Sequence, residues 1–509
     1  LASVEEQLYA LWGEVQDLDT ASEILGWDQE TFMPSAGVEG RGKILATLAG
    51  TRHEKLTAPA LREVLEACAE AAEPGSVLAA QVRCARRVVD RAVKVPGSLT
   101  RELAETQSQA LAAWQQARKA ADFSHFQPYL ERLLHLKRQE ARAVTGDSSP
   151  GDGALYDALL DEYEPGATTA ALVPLFESLK AALSPLVQGV VESGVTVDES
   201  AAQGAFPAAQ QEAFGRRMAE AFGFDFAAGR MDLSTHPFCT GFNPRDVRLT
   251  WRYQEDDLRP ALFGILHETG HGLYEQGLPA SGHRTPAGGA VSLGIHESQS
   301  RLWENLVARS RPFWHWALPQ MQEMIPSTQG ATVDTLWPAL HTVRPSLVRV
   351  EADEATYNLH VAIRFDLERA LFAGDLEVAD LPTAWDAAYG DLLGITAETA
   401  ADGVLQDIHW SMGAFGYFPT YTLGTLAASQ LMAAAERDLG DQDEAFARGE
   451  LKPLLDWLRR HIHQHGSRYE ASDLLVKATG KLLAADDFLA YIRTTTEAVY
   501  GVSVAPAES

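Results

Sequence analysis

His267, Glu268 and His271 stand in the order H-E-x-x-H within Leu266-His267-Glu268-Thr269-Gly270-His271. On a helix, residues four apart share a face one turn apart, so both imidazoles can reach a single ion. Glu268 follows the first imidazole and can address a water instead of the ion, the placement a general base needs in metal-assisted peptide hydrolysis. A catalytic zinc takes three protein ligands and leaves a further position open, so a third donor must come from another element. Taken alone, Glu297 reads as an ordinary solvated helix carboxylate; paired with the upstream motif it becomes the leading third ligand. The rival reading, two core histidines beside a surface glutamate, requires buried imidazoles without partners, which is costly.

These residues need two helices and a reversal between them. Asp256 and Asp257 offer N-cap side chains, Pro260 fits a first turn, Leu262, Ile265, Leu266 and Leu273 recur at helical spacing, and Gly277 with Pro279 can end the helix. The Gly- and Pro-rich stretch 277–289 lets the chain turn back. The run Leu293-Gly294-Ile295-His296-Glu297-Ser298-Gln299-Ser300-Arg301-Leu302-Trp303 then reads as the second helix. Upstream, Arg230 to His236 and Val247 to Tyr253 carry strand-like residues on either side of Gly241-Phe242-Asn243-Pro244, which predicts a small antiparallel hairpin just before the chemistry.

Elsewhere the period is helical. The stretch from Ser98 to about Val144 predicts paired long helices broken around Phe123 to Pro128. Further amphipathic runs cover roughly 39–94, 169–194, 349–373, 420–438 and 483–500, punctuated by Glu73-Pro74-Gly75, Glu164-Pro165-Gly166 and Gly440-Asp441. There is no internal repeat, low-complexity tract or long linker. The economical expectation is a mainly α fold in one large helical domain, 1–509. Within it, about 1–230 is a helical half, about 231–425 carries the motifs, and about 426–509 supplies C-terminal helices.

The composition narrows the partners. Against 42 lysines and arginines stand 70 aspartates and glutamates, a net charge of -28 over 509 residues, which repels phosphate and argues against nucleic acid and anionic membrane. Cys68, Cys84 and Cys239 form neither a disulfide framework nor a CxxC site and suit a reducing cytoplasm. The start, Leu1-Ala2-Ser3-Val4-Glu5-Glu6, is acidic where a secretory signal is basic, and its missing methionine reads as a trimmed or truncated start. No apolar run of about 18 residues reads as a membrane span.

Six ordered blocks then resemble the carboxypeptidase Taq family of metallocarboxypeptidases. They are His236-Pro237-Phe238, Asp246-Val247-Arg248-Leu249-Thr250, the motif at 267–271, His296-Glu297-Ser298-Gln299, Val348-Arg349-Val350-Glu351-Ala352-Asp353, and Gly403-Val404-Leu405-Gln406-Asp407-Ile408-His409-Trp410. Val348 and Cys239 depart from the family pattern, and neither is a proposed ligand. The resemblance implies a largely helical body around a deep substrate groove and a cytoplasmic homodimer. It also implies removal of single C-terminal residues from peptides with broad preference, failing beside proline, with one Zn2+ per chain that Co2+ can replace.

An exopeptidase must hold a terminal carboxylate, and a guanidinium offers two parallel donors for it. Arg349 is the candidate, against a plain helix pair with Asp353 four residues on. Arg248 is a second candidate, against an ion pair with Asp246. By resemblance His409 and Tyr421 are placed to stabilise the oxyanion, with Tyr417 an open substitute for Tyr421, and His236 either contacts substrate or supports the site. Two rival activities stand beside this one. An endo-acting zinc oligopeptidase shares the metal site without the carboxylate anchor. A di-metal carboxylate oxidoreductase needs two Glu-x-x-His motifs, and Glu268 with His271 is the only such pair in the chain.

Overall fold

The computed structural model describes residues 3–146 and 153–502; the first two residues of the acidic start lie outside them. Helices form where the apolar period and the caps coincide. Ser3 and Glu6 close a capping box on Val4–Thr31, satisfying two N–H groups at its N-terminus reciprocally. The run predicted from Ser98 is two helices, Gly97–Ala120 and Gln127–Thr145, divided by a 3-10 turn at Phe123–His125 that Asp122 caps. Between 38 and 94 lie Val38–Leu56, Pro59–Ala71 and Val77–Lys94.

The chain forms two compact units, each built from three separated stretches. The first comprises Leu1–Val93, Asp198–Leu340 and Gln430–Leu482; the second comprises Lys94–Val197, His341–Ser429 and Leu483–Ser509.

The first unit holds the sheet and the H-E-x-x-H helix. The strands β1 (Gly229–Leu233), β2 (Cys239–Asn243) and β3 (Asp246–Trp251) lie in the order β1-β3-β2. The predicted hairpin is corrected in its pairing. The two strand-like runs, β1 and β3, pair in parallel, Gly229 opposite Val247 and Leu233 opposite Trp251, and the antiparallel partner of β3 is β2. The expected turn Gly241-Phe242-Asn243-Pro244 is mostly strand, since Gly241, Phe242 and Asn243 belong to β2 and the reversal falls at Pro244-Arg245. The helix Arg259–Gly277 packs against β2, β3 and Leu293–Arg301, with Trp251, Ala261 and Ile265 forming a small apolar cluster under the sheet. Its N-cap position is Leu258, and Asp257 accepts from the N–H of Arg259.

The second unit is centred on Tyr357–Ala373, whose Phe365, Leu371 and Phe372 are buried among Tyr156, Phe176, Trp385 and Trp410. The helix expected over 349–373 begins later than its period implied. Arg349–Glu351 is a 3-10 turn, and Asp353 accepts from the N–H groups of Ala355 and Thr356, ending one segment and starting the next. Thr169–Ser193 is one helix long and apolar enough to cross a membrane by length and composition. Leu172, Phe176, Leu179, Leu183 and Leu186 are nonetheless buried in this unit's core, and Lys180 pairs with Asp366 and Glu177.

Candidate active site

Two adjacent helices bring the ligand candidates together. Nε2 of His267 lies 3.6 Å and Nε2 of His271 3.4 Å from Oε2 of Glu297, and the three donor atoms all fall within 4.8 Å of one another. Gly270 makes this possible, since a Cβ there would meet the carbonyl oxygen of Gln299 and Cα of Ser300 at 2.6 Å. With only hydrogen in the way, the second helix approaches the first backbone to backbone. Arg301 donates to Oε1 of Glu297 at 2.7 Å, turning Oε2 toward the imidazoles, and Ser300 Oγ reaches Oε2 at 3.1 Å.

Each imidazole is held from behind. Nδ1 of His267 meets Glu304 at 2.8 Å, while Nδ1 of His271 meets Nδ1 of His296 at 2.5 Å, whose Nε2 meets Glu275 at 2.8 Å. Metal-bound histidines characteristically engage their second nitrogen in this way. Glu304 sits on a π-helical turn, Leu302–Val307, that continues the second helix. Sequence reasoning missed Glu304 and Glu275. The signal was the seven-residue spacing of Glu297 and Glu304, two turns on one face with Arg301 between them.

The electrostatics favour a cation at the convergence point. Burial disfavours a charged His267, yet the carboxylates of Glu297 and Glu304 outweigh it and push the group up to about 9. Burial and the neighbouring His296 lower His271 to about 3, so its lone pair is available. Glu304, although buried, is held down at about 2 by Arg301 and His267, and Glu297 is held well below the usual carboxylate range by Arg301 and His267. Two imidazole nitrogens and one carboxylate oxygen form a donor set that suits zinc. The residues present therefore fit the metal. Burial pushes Glu268, which is 6% exposed, up to about 7. Among the described residues its carboxylate has no hydrogen bond or ion pair within the protein.

In the second unit Arg349 is 4% exposed and paired with Asp407, not with Asp353. Its Nε and Nη2 reach Oδ1 of Asp407 at 3.0 and 2.8 Å, and its Nη1 donates to the Tyr357 hydroxyl at 2.9 Å. Arg364 donates to the other oxygen of Asp407 at 2.6 Å and to Gln406 at 2.8 Å. Two guanidiniums share one carboxylate, so the cluster carries one surplus positive charge. His409 Nε2 lies 3.2 Å from the Tyr421 hydroxyl, and burial lowers His409 to about 3. Tyr417 packs edge-on against Tyr163 and Tyr421.

Two candidates stay outside these clusters. Arg248 donates twice to Asp246, at 2.7 and 3.0 Å, and lies over the rings of Trp27 and Phe242, the ion-pair reading of its strand position. His236 is exposed, and its carbonyl accepts from Ser234.

Glu368, fully buried, anchors the segment that carries His409 and Tyr417. It accepts from Trp410 Nε1 at 2.7 Å, Gly416 N at 2.8 Å and the Tyr156 hydroxyl at 2.7 Å. Glu368→Leu leaves three buried donors unpaired, each worth about 1–3 kcal/mol. We expect a destabilisation of about 3 kcal/mol or more, read as a lower melting temperature by calorimetry; an unchanged transition would show that the donors find other partners.

The family model described as Carboxypeptidase Taq (M32) metallopeptidase matches residues 7–496. "Thermostable carboxypeptidase 1" of Thermus thermophilus is 44% identical over 495 residues, covering 96% of this chain and 97% of the relative. "Carboxypeptidase 1" of Bacillus subtilis is 36% identical, over 97% of this chain and 98% of the relative. The crystal structure of an M32 carboxypeptidase from Deinococcus radiodurans R1 superposes with a TM-score of 0.94 at 40% identity, covering 98% of this chain and 100% of that one.

Proposed function

This chain belongs to the carboxypeptidase Taq (M32) family of metallopeptidases, and we propose that it works with one zinc ion held by His267, His271 and Glu297 and with Glu268 as general base. It is a metallocarboxypeptidase, removing residues from the C-terminal end of peptides. The observation that carries the proposal is the convergence of three donor atoms within 4.8 Å beside a buried carboxylate, that of Glu268, which makes no hydrogen bond among the described residues.

Zinc in that position supplies Lewis acidity and lowers the pKa of water. Glu268 takes a proton from the attacking water, the water oxygen bonds to the scissile carbonyl carbon, and Glu268 returns the proton to the amine nitrogen as the C–N bond breaks. No covalent intermediate is needed. His409 and Tyr421 donate to the oxyanion as it develops. Arg349 receives the terminal carboxylate, which answers the surplus positive charge it shares with Arg364 and Asp407. Arg248 and His236 are left with supporting roles. Cobalt suits the same donors, and the cytoplasmic homodimer expected by resemblance belongs to the same reading.

Chelation tests the reading. Prolonged chelator treatment should remove one metal per chain and abolish peptide hydrolysis, and added zinc should restore both, since a catalytic site keeps an open position and is not a closed cage. Activity that survives demonstrated metal loss would sink it.

A further inference from the structure

His267 and His271 are backed by different chemistry. Behind His267, an ionised carboxylate can only accept, so Glu304 holds the proton on Nδ1 and leaves Nε2 a lone pair. Behind His271 stands an imidazole, which can donate or accept. With its proton on Nδ1, His296 would either face another N–H or drive His271 to the tautomer whose Nε2–H points at Glu297. Glu275 removes that choice. Its carboxylate, 2.8 Å from Nε2 of His296, holds the proton there and leaves Nδ1 to accept from His271.

We infer that His296 and Glu275 are positioning residues that fix the tautomer and orientation of His271 through the chain Glu275–His296–His271. The inference rests on the reading of His271 as a metal ligand. Packing keeps the chain in register. The His296 ring lies 4.5 Å from that of His271 and 5.3 Å from that of Tyr274, and Glu275 stands one turn beyond His271 on the same helix. Strand β2 is cut away to seat the carboxylate, because a Cβ at Gly241 would meet Cγ of Glu275 at 2.8 Å.

The test is a zinc titration of the stripped full-length protein against a competing chromophoric chelator, with the melting temperature of each apo variant alongside. His296→Asn keeps an acceptor near the position of Nδ1 and loses the ring; His296→Phe keeps the ring and loses the acceptor. We expect His296→Asn to bind zinc within about threefold of the parent and His296→Phe to bind about 10- to 100-fold more weakly. A purely structural ring predicts the reverse order, and either that order or equal affinities overturns the inference. Should His296→Phe fail to fold, Glu275→Leu carries the test away from any ligand: about tenfold weaker binding supports the chain and unchanged binding overturns it. Glu297→Ala, run in the same titration, separates the two levels. If it binds zinc like the parent, the metal-centre reading falls and takes this inference with it. If it loses zinc while His296→Phe does not, this inference alone falls.

Discussion

Glu268→Gln will keep its zinc and lose kcat by about 100- to 10,000-fold, the range general acid–base catalysis contributes. The substitution is nearly isosteric, and the carboxylate it replaces has no protein partner to orphan among the described residues. A neutral amide also suits a site where burial already pushes the carboxyl up to about 7, so the fold has no reason to suffer. What disappears is the ability to accept the water proton and return it to nitrogen. Metal analysis with single-turnover kinetics on one short peptide reads both halves. A Gln variant that remains fully active removes Glu268 as the base, and one that loses zinc would show that its carboxylate is a ligand.

Arg349→Ala will act on one substrate class far more than on another. If the guanidinium holds a terminal carboxylate, removing it costs about 2–5 kcal/mol, roughly a 30- to 4,000-fold drop in kcat/KM on peptides with a free C-terminus. Residual cleavage of the amidated twin should change little. Melting temperature alone cannot separate this from a structural role, because Arg349 is also a partner of Asp407. The loss there is moderated, since Arg364 stays on the other carboxylate oxygen and no buried charge is left alone. The ratio of the two substrates is therefore the deciding quantity, and equal losses would remove Arg349 from substrate binding. Lysine should rescue only partly, having no two-donor fork.

The parts of the site that could be read in advance are those with local periodicity. His267, Glu268 and His271 announce themselves by spacing on one helix, and Glu297 follows from the chemical need for a third ligand on a neighbouring one. The partners that complete them were harder to see. Asp407 is 58 residues from Arg349, and the nearby Asp353, an equally good partner by helical spacing, is spent on capping backbone N–H groups. Glu304 shares a face with Glu297 by its seven-residue spacing, but a helix carboxylate at that spacing reads equally as a solvated one until the imidazole of His267 is seen against it. The sheet illustrates the same limit. Strand composition marked β1 and β3, but parallel or antiparallel pairing is decided by which edge remains when β2 has folded back, and no residue type records that.

The threefold interleaving of each unit also bears on how the polypeptide acquires its shape. Gln81, from the first stretch, takes the N–H of Ala287, and His463, from the third, meets Gln299 on the second ligand helix. The two helices bearing the ligands are neighbours along the chain and can pair early, while their surroundings must wait for the last stretch to leave the ribosome. At translation rates of about 5–20 residues per second that interval is on the order of tens of seconds. During it, the apolar faces of the first unit have no final partners, the condition in which nascent chains aggregate or recruit chaperones. A polypeptide arranged this way cannot mature domain by domain as it emerges, and no contiguous fragment of it contains one whole unit without also carrying stretches of the other.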